Sequence, residues 1–452
     1  MPSAEHTLSR RTIATYAIGS LGTGGFATLP GLVLVYYLTD NLGLAAIASG
    51  IIVTAAKVWD VIIDPLIGSW SDRSLALRGT RRRLMVLGGS LLPVFFILTF
   101  AVPLGLPGWI SAAWVFVAFV LTATAFSFFQ VPYIALPAEL TAGGAAGYDQ
   151  RSRLLAMRVV VLTFAILLFG AGGPALRSLG GKNSYVGYLL MAVVAGVVIG
   201  AGMLVSARVA PHGVAVAEAP SRTGYRAGFA ALRRSQPFRA LVFTFLLQGL
   251  ATGLMLAGAQ YVATYVLHSE DAVTFLFVAL IGPAIVFAPV WAAVARRIGK
   301  ERSFVIATVL FGLAALAMLG LLWAPGAWVY APVALAGAGY AGMQSLPMSM
   351  LPDVIEHDAK THGPGSAGAF GGIWTAGETT GMALGATVLT IVLSITGYVS
   401  SVGNHPLAQT DLARAGIVLS FSIVPAIIIG VSLISLGRYR LRKSDLDVEA
   451  EA

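Results

Sequence analysis

Apolar stretches recur along the chain at residues 10–38, 45–70, 81–104, 108–138, 152–176, 184–208, 237–266, 272–296, 302–323, 327–352, 368–398 and 412–437. Each can form a helix that crosses the hydrocarbon core of a bilayer, which takes about 20 mostly apolar residues. The pattern predicts an all-α membrane protein with twelve transmembrane helices. The widest polar interval falls between the sixth and seventh stretches and contains Pro211, Gly213, Pro220, Arg222, Arg226, Arg233 and Arg234. The expected organisation is a six-helix half over 1–210, a basic linker over 211–235, a second six-helix half over 236–438 and a tail over 439–452.

Composition narrows the class. Of 452 residues 57% are hydrophobic and 11% charged, less than half of the roughly 25% usual in soluble domains. Mean hydropathy is +0.83. A water-soluble enzyme, a disordered chain and a coiled coil are excluded. The net charge of +9 would suggest nucleic acid in a soluble protein, but here it sits in loops on one side. The N-terminal segment, the even-to-odd loops, the linker and the tail carry most Lys and Arg, including Arg10, Arg11, Arg78, Arg81, Arg83, Arg151, Arg296, Arg297, Lys300 and Arg438. The opposite loops carry only Arg177, Lys182 and Arg414. Excess Lys and Arg mark the cytoplasmic side, so both termini are expected in the cytoplasm, in the plasma (inner) membrane, with no nucleic-acid partner. Arg10 and Arg11 precede an apolar run without a small-residue cleavage site, which reads as a retained first helix. There are no cysteines, so thiolate chemistry is unavailable.

An internal echo supports two related halves. Gly68-Ser-Trp-Ser-Asp72-Arg73 followed by Gly79-Thr-Arg81-Arg82-Arg83 closes the second stretch, and Ala295-Arg296-Arg297-Ile-Gly299-Lys300 closes the eighth. The first resembles the cytoplasmic loop of the major facilitator superfamily, and the second reads as a degraded copy. The resemblance implies two pseudo-symmetric six-helix halves with a site near the midplane. It also implies a gating role for Gly68, Asp72, Arg73 and Arg82 at the cytoplasmic helix ends.

Ionisable groups inside the apolar stretches carry the functional signal. Lys57, Asp60 and Asp64 share one face of the second stretch at helical spacing. Two carboxylates so close raise one another's pKa unless a cation intervenes. Lys57 neutralises one, and the other needs a proton, a metal ion or another partner.

Asp60-x-x-x-Asp64-Pro65-x-x-Gly68 resembles the helix-two signature of the glycoside–pentoside–hexuronide:cation symporters. Tyr16-Ala-Ile-Gly19, Tyr36-Tyr37-Leu-Thr39-Asp40, Val131-Pro132-Tyr133, Arg158 and Leu351-Pro-Asp353-Val-Ile-Glu356 fall in the same order. The resemblance implies that Asp60 and Asp64 form a cation site for H+ or Na+. It implies that Arg158 is a substrate residue, with Gly24 and Gln130 standing where the family has sugar-binding aspartates. Gln344 replaces a helix-ten aromatic and Glu378 a helix-eleven lysine. Lys57 and Arg158 then stand against Asp60, Asp64 and Glu378, which makes Glu378 a candidate for the coupling proton.

Tyr133, Gln248, Gln260, Tyr261 and Trp374 are further cavity candidates. The glycine-rich run Gly363–Gly372 lacks the Lys-Ser/Thr of a phosphate loop and reads as close helix packing and a hinge. Glu356, His357, Asp358 and His362 read as a mixed-charge cytoplasmic loop in preference to a metal site. The expected function is cation-coupled symport of a sugar, glycoside or sugar acid by alternating access, with Arg158 able to fork onto a substrate carboxylate. No cofactor or catalytic residue is expected, and the expected partners are a small-molecule substrate and membrane lipid, around a monomer. Transport of an amphipathic lysophospholipid, or proton-coupled export, is the alternative.

Overall fold

The computed structural model describes residues 8–141, 144–181, 183–212, 225–362, 367–403 and 405–441. Lys182, Gly213, Pro220, Arg222, Arg442, Lys443 and Gly363–Ser366 lie outside them. The described chain is helical, and its one extended pairing is an isolated bridge between Leu42 and Val402. Seven helices come before the linker: α1 (Arg10–Ile18), α2 (Ser20–Tyr36), α3 (Ala46–Arg78), α4 (Arg82–Phe100), α5 (Gly108–Leu140), α6 (Gly144–Ser178) and α7 (Ser184–Ala207). A short α8 (Tyr225–Arg234) precedes α9 (Gln236–Tyr261), α10 (Ala272–Ile298), α11 (Lys300–Ala317), α12 (Tyr330–His362), α13 (Ala367–Ile395), α14 (Asp411–Phe421) and α15 (Ile423–Leu436).

Eleven helices or helix pairs among the described residues are long and apolar enough to cross a membrane. The twelfth long helix, α12, falls outside that set. Its first half is diluted by Gly337, Gly339, Gly342, Gln344 and Ser345, and its second half carries Asp353, Glu356, Asp358 and Lys360. Residues 353–362, expected as a loop, instead continue α12 as helix.

Capping follows the local sequence. Ser9, Asn183, Ser235 and Thr410 accept from the backbone N–H three residues on at the starts of α1, α7, α9 and α14, which satisfies donors a helix start leaves open. The loops carrying the basic echo turn at Gly79 (φ 65°) and Gly299 (φ 92°), left-handed values that a side chain disfavours. A second echo lies at the other ends of the repeats. The first and seventh spans both finish in a five-residue π-type turn, Tyr37–Asn41 and Val262–Val266. Each is closed by a Leu, Leu42 or Leu267, whose N–H reaches five residues back.

The chain divides into two compact units: Met1–Leu44, Ala55–Ala219 and Ser400–His405 in the first, and Ala45–Thr54, Pro220–Val399 and Pro406–Ala452 in the second. In the first unit, Ser401 and Gly403 N–H groups donate to Thr39 and Asn41 carbonyls at 3.1 and 3.0 Å. In the second, Thr54 at the start of α3 meets Thr387 of α13 with hydroxyls 2.5 Å apart.

Each unit packs the first helix of its repeat on the fifth through small residues. A methyl on Gly24 of α2 would stand 2.7 Å from Ala165 Cβ and 3.1 Å from the Leu162 carbonyl of α6. On α13, methyls at Gly381 and Gly385 would stand 2.3 Å from Leu246 O and Leu254 N of α9. These are backbone contacts, so the helices touch main chain to main chain, as small residues permit in membranes. Gly371 and Gly372 face open space, so the packing expected of the glycine-rich run falls instead to Gly381 and Gly385.

Gly385→Ala is therefore expected to cost about 1–3 kcal/mol of stability by forcing α9 and α13 apart. Gly282→Ala, with nothing within 4 Å of the added methyl, is expected to be neutral. Thermal unfolding of the detergent-solubilised variants checks the contrast.

Candidate functional site

α3 presents a mixed face. Val58, Ile62 and Leu66 are exposed in the computed surface, where lipid tails suit them. Lys57, Asp60 and Asp64 occupy the other side of the same turns. Lys57 Nζ is 3.1 Å from Asp60 Oδ2 and stands 5.3 Å over the Phe26 ring of α2, so the ammonium is held by a carboxylate and by an aromatic face. Asp64 lies beside the Ser127 hydroxyl of α5. Asp60 Oδ1 and Asp64 Oδ1 are both buried with no hydrogen-bond partner. Trp59 donates to Thr124 of α5 at 2.8 Å, and a methyl on Gly68 would touch only Val131, at 3.8 Å. The α3–α5 contact thus fixes the rotation of α3 that brings the carboxylates together.

The remaining candidates of the first unit surround Tyr133. Its hydroxyl donates to the Tyr16 carbonyl at 3.0 Å and lies 3.0 Å from Ser20 Oγ. Its ring stacks on Tyr16 at 4.7 Å and Phe129 at 5.0 Å. Tyr133 is fully buried, so it is a fixed strut and does not line a cavity as expected from sequence. The Arg158 guanidinium stands 5.3 Å from the centroid of that ring, and Arg158 Nε is buried without a partner. Gln130 accepts from Thr23 at 2.7 Å. Gly24, expected among substrate residues, faces α6 at van der Waals distance, so its side-chain direction is filled by protein.

The second unit has its own polar group. Tyr340 lies beside Gln344, one turn on, and within electrostatic reach of Glu378 of α13. Trp374, also on α13, stacks on Phe245 at 4.2 Å with its indole N–H buried and unpartnered. Gln248 donates to Thr308 of α11 at 3.0 Å, Gln260 to Thr264 at 3.3 Å, and Tyr261 meets Tyr398 edge-on. These three hold helices and turns together.

Residues 15–443 match the family described as MFS/sugar transport protein. The chain belongs to that family. Similar proteins include an uncharacterised symporter, YnaJ, of Bacillus subtilis (strain 168), 26% identical over 94% of this chain and 90% of the relative. A glucuronide carrier protein homolog of Escherichia coli (strain K12) is 24% identical over 92% of this chain and 90% of the relative. The solved structure of a D-xylose–proton symporter superposes with a TM-score of 0.68 at 12% identity, covering 96% of this chain and 98% of that one, which shows the major facilitator fold. The protein is an integral membrane transporter.

At the basic-loop ends of this transporter's helices, the ion pairs run through Arg81, Glu139, Lys300 and Asp353. Arg81 is buried, bonds the Glu139 carboxylate of α5 through Nε, reaches Asp72 at 2.7 Å and donates to Ser71 at 2.7 Å. Arg73 is exposed, Arg82 keeps a buried Nε without a partner, and neither forms an ion pair. The ion pair at this helix end is formed by Arg81 with Glu139 and Asp72. The second unit repeats the device: Lys300, just after Gly299, meets Asp353 of α12 at 2.6 Å and the Ser349 carbonyl at 2.9 Å. A sequence signal existed for these acids. Gln130-x-Pro132-x4-Pro137-x-Glu139 and Gln344-x-x-Pro347-x4-Pro352-Asp353 share a five-residue proline spacing with an acid just beyond.

Arg234 of α8 forks onto the buried Asp358 of α12, with Nε–Oδ1 at 3.0 Å, and that hydrogen bond pushes the guanidinium pKa further up. Glu356 pairs with Lys360 at 3.1 Å. The acids of the Glu356–His362 cluster are thus committed to cations of the chain.

Removing a partner from a buried ion pair strands the other charge, at about 3–5 kcal/mol. Arg81→Ala is expected to destabilise the transporter by that much. Arg73→Ala and Arg83→Ala, at exposed positions, are expected to stay within about 0.5 kcal/mol. Denaturant unfolding in detergent distinguishes them, and equal losses at all three would remove Arg81 from its central place.

Proposed function

We propose that the protein takes up a sugar, a glycoside or a sugar acid by secondary active symport, driven by H+ or Na+ bound at Asp60 and Asp64. The observation that carries this reading is the pair of buried carboxylate oxygens, Asp60 Oδ1 and Asp64 Oδ1, that lack a hydrogen-bond partner one helical turn apart. A carboxylate oxygen in a membrane interior calls for a proton or a hard cation, and Lys57 already answers the other oxygen of Asp60. Similarity to a symporter of Bacillus subtilis and to a glucuronide carrier homolog of Escherichia coli supports a sugar substrate and an ion gradient as the energy source. Transport proceeds by alternating access, in the inner membrane, with both termini cytoplasmic and no resident cofactor. One chain supplies every candidate residue, so a monomer suffices. Glu378, beside Tyr340 and Gln344, is the second candidate for the transported proton. Neither lysophospholipid transport nor export gains an observation of its own.

Asp60→Asn and Asp64→Asn keep the side-chain shape and lose the charge. Each is expected to abolish gradient-driven accumulation in proteoliposomes while the protein stays folded. Accumulation against a gradient in either variant would reduce the pair to a structural role.

Glu378→Gln mimics the protonated acid and is expected to preserve counterflow exchange while losing proton-driven accumulation. Proton uptake on substrate addition, compared with wild type, is the measurement. Equal stoichiometry in both, or strict Na+ dependence of wild type, would exclude Glu378 from coupling.

A further inference from the structure

The connection between α13 and α14 is built as a hook. Its base stays in the second unit. The Tyr398 hydroxyl donates to that of Tyr265, in the π-type turn of the seventh span, at 3.1 Å, and the Tyr398 ring meets Tyr261 and Tyr265 edge-on. Gln409 ties the base shut, accepting from the Val399 N–H at 2.9 Å and donating to the Val399 carbonyl at 2.8 Å. The tip, Ser400–Gly403, groups with the first unit. There the Ser401 and Gly403 N–H groups donate to the Thr39 and Asn41 carbonyls at 3.1 and 3.0 Å, and Val402 pairs with Leu42 in an antiparallel bridge. The Ser401 hydroxyl reaches the Asp40 carbonyl and Asp40 Oδ1, each at 3.2 Å. The Ser400 hydroxyl donates to the Leu44 carbonyl at 2.7 Å.

The receiving surface suits this role. The last carbonyls of a helix have no donor within it. In the π-type turn Tyr37–Asn41, Leu42 and Leu44 N–H groups take the Tyr37 and Leu38 carbonyls, and the next three, those of Thr39, Asp40 and Asn41, accept from the tip. Asp40 is fully buried and takes the Thr39 hydroxyl on Oδ2 at 2.6 Å while Ser401 reaches Oδ1. The attachment is polar. Val402 is 69% exposed, so the tip buries little apolar surface, and its release exchanges protein hydrogen bonds for water at a modest net cost.

We infer that the tip is a latch: docked on Thr39–Asn41 it shuts the face opposite the basic loops, and its release, with the base still held by Tyr398 and Gln409, opens that face. The inference rests on the alternating-access cycle proposed above and on no particular substrate. Such a cycle parts the two six-helix halves on one face and then on the other. Ser400–Gly403 is sequence of the second half bonded to the last turn of the first span, and both segments lie opposite the basic loops in the order of the spans. These bonds therefore break whenever that face opens. The freed N–H and carbonyl groups need new partners, and water supplies them only when the face is open, so release and hydration are one event.

The chain has no cysteine, so Leu42→Cys with Val402→Cys places a single thiol pair across the bridge. Antiparallel partners have Cα atoms about 4.5–5.5 Å apart, within the reach of a disulfide. The double variant is assayed in proteoliposomes under an imposed H+ or Na+ gradient, with methyl β-glucoside and methyl β-glucuronide as probes. Uptake is expected in dithiothreitol, to be lost on oxidation and to return on reduction, while each single variant ignores the oxidant. Equal uptake by the oxidised and reduced double variant overturns the latch and leaves sugar symport standing.

Uptake of neither probe by the wild type counts against the sugar reading alone, because a second measurement needs no substrate. Spin labels are attached at Leu104→Cys and His405→Cys, exposed positions that both belong to the first unit. Their separation is read by double electron–electron resonance in lipid nanodiscs. Two distance populations are expected, with the longer one enriched by Ser401→Ala, which removes the hydroxyl that reaches Asp40. A single distance, identical with Ser401 and with Ser401→Ala, overturns the latch whatever the transport result.

Discussion

An ionised side chain in the hydrocarbon core of a bilayer persists only where another charge, a proton or a bound ion balances it. That constraint explains more of this transporter than any packing detail. It accounts for Lys57 one turn before Asp60 and for the tyrosine platform beneath Arg158. It also accounts for the acids at helix ends, Asp72, Glu139, Asp353 and Asp358, each met by an Arg or Lys. A charge balanced by the chain itself has nothing left to offer a ligand. The groups left unbalanced, the open oxygens of Asp60 and Asp64 and the guanidinium of Arg158, are therefore the ones with chemistry in reserve.

The second constraint is steric. Helix pairs in lipid gain little from hydrophobic transfer, so close backbone approach must supply the attraction. Gly24 on α2 and Gly381 and Gly385 on α13 place main chain against main chain in their respective units. Gly24 shows how such a position can mislead. A family comparison reads a missing aspartate there, whereas the geometry reads a seat for α6. The same residue cannot be both an open place in a cavity and a close helix contact, and a methyl added at Gly24 would stand only 3.1 Å from the Leu162 carbonyl, which favours the contact.

Which features were legible in the sequence follows from how each is encoded. The helices and the intramembrane charges are local patterns, and Lys57, Asp60 and Asp64 share a face because four residues make a turn. The ion pairs at the helix ends were not legible in that way. Arg81, Arg82 and Arg83 are adjacent and chemically identical, and only the turn at Gly79 determines that Arg81 points inward to Glu139, 58 residues away. The setting of Tyr133 is encoded as remotely: its hydroxyl partners, Ser20 and the Tyr16 carbonyl, lie more than 100 residues off. The polar end of α12 reads as a loop from its charge alone, whereas Lys360 pairing with Glu356 at i,i+4 spacing sustains the helix.

The two units repeat their ends and differ in their middles. Both have a basic loop turning at a left-handed glycine, an acid beyond a Pro-x4-Pro pair that receives the loop's cation, and a first span closing in a π-type turn on a leucine. In the spans between, the first unit holds Lys57, Asp60, Asp64 and Arg158, whereas the second holds Gln248, Tyr340, Gln344, Trp374 and Glu378. Ends that merely shape and anchor helices have one physical task in either unit, and one solution serves both. The middles carry different side chains, and the divergence between the units is confined to them. It places the charge chemistry in the first unit and the neutral hydrogen-bonding and aromatic groups, with one acid, in the second.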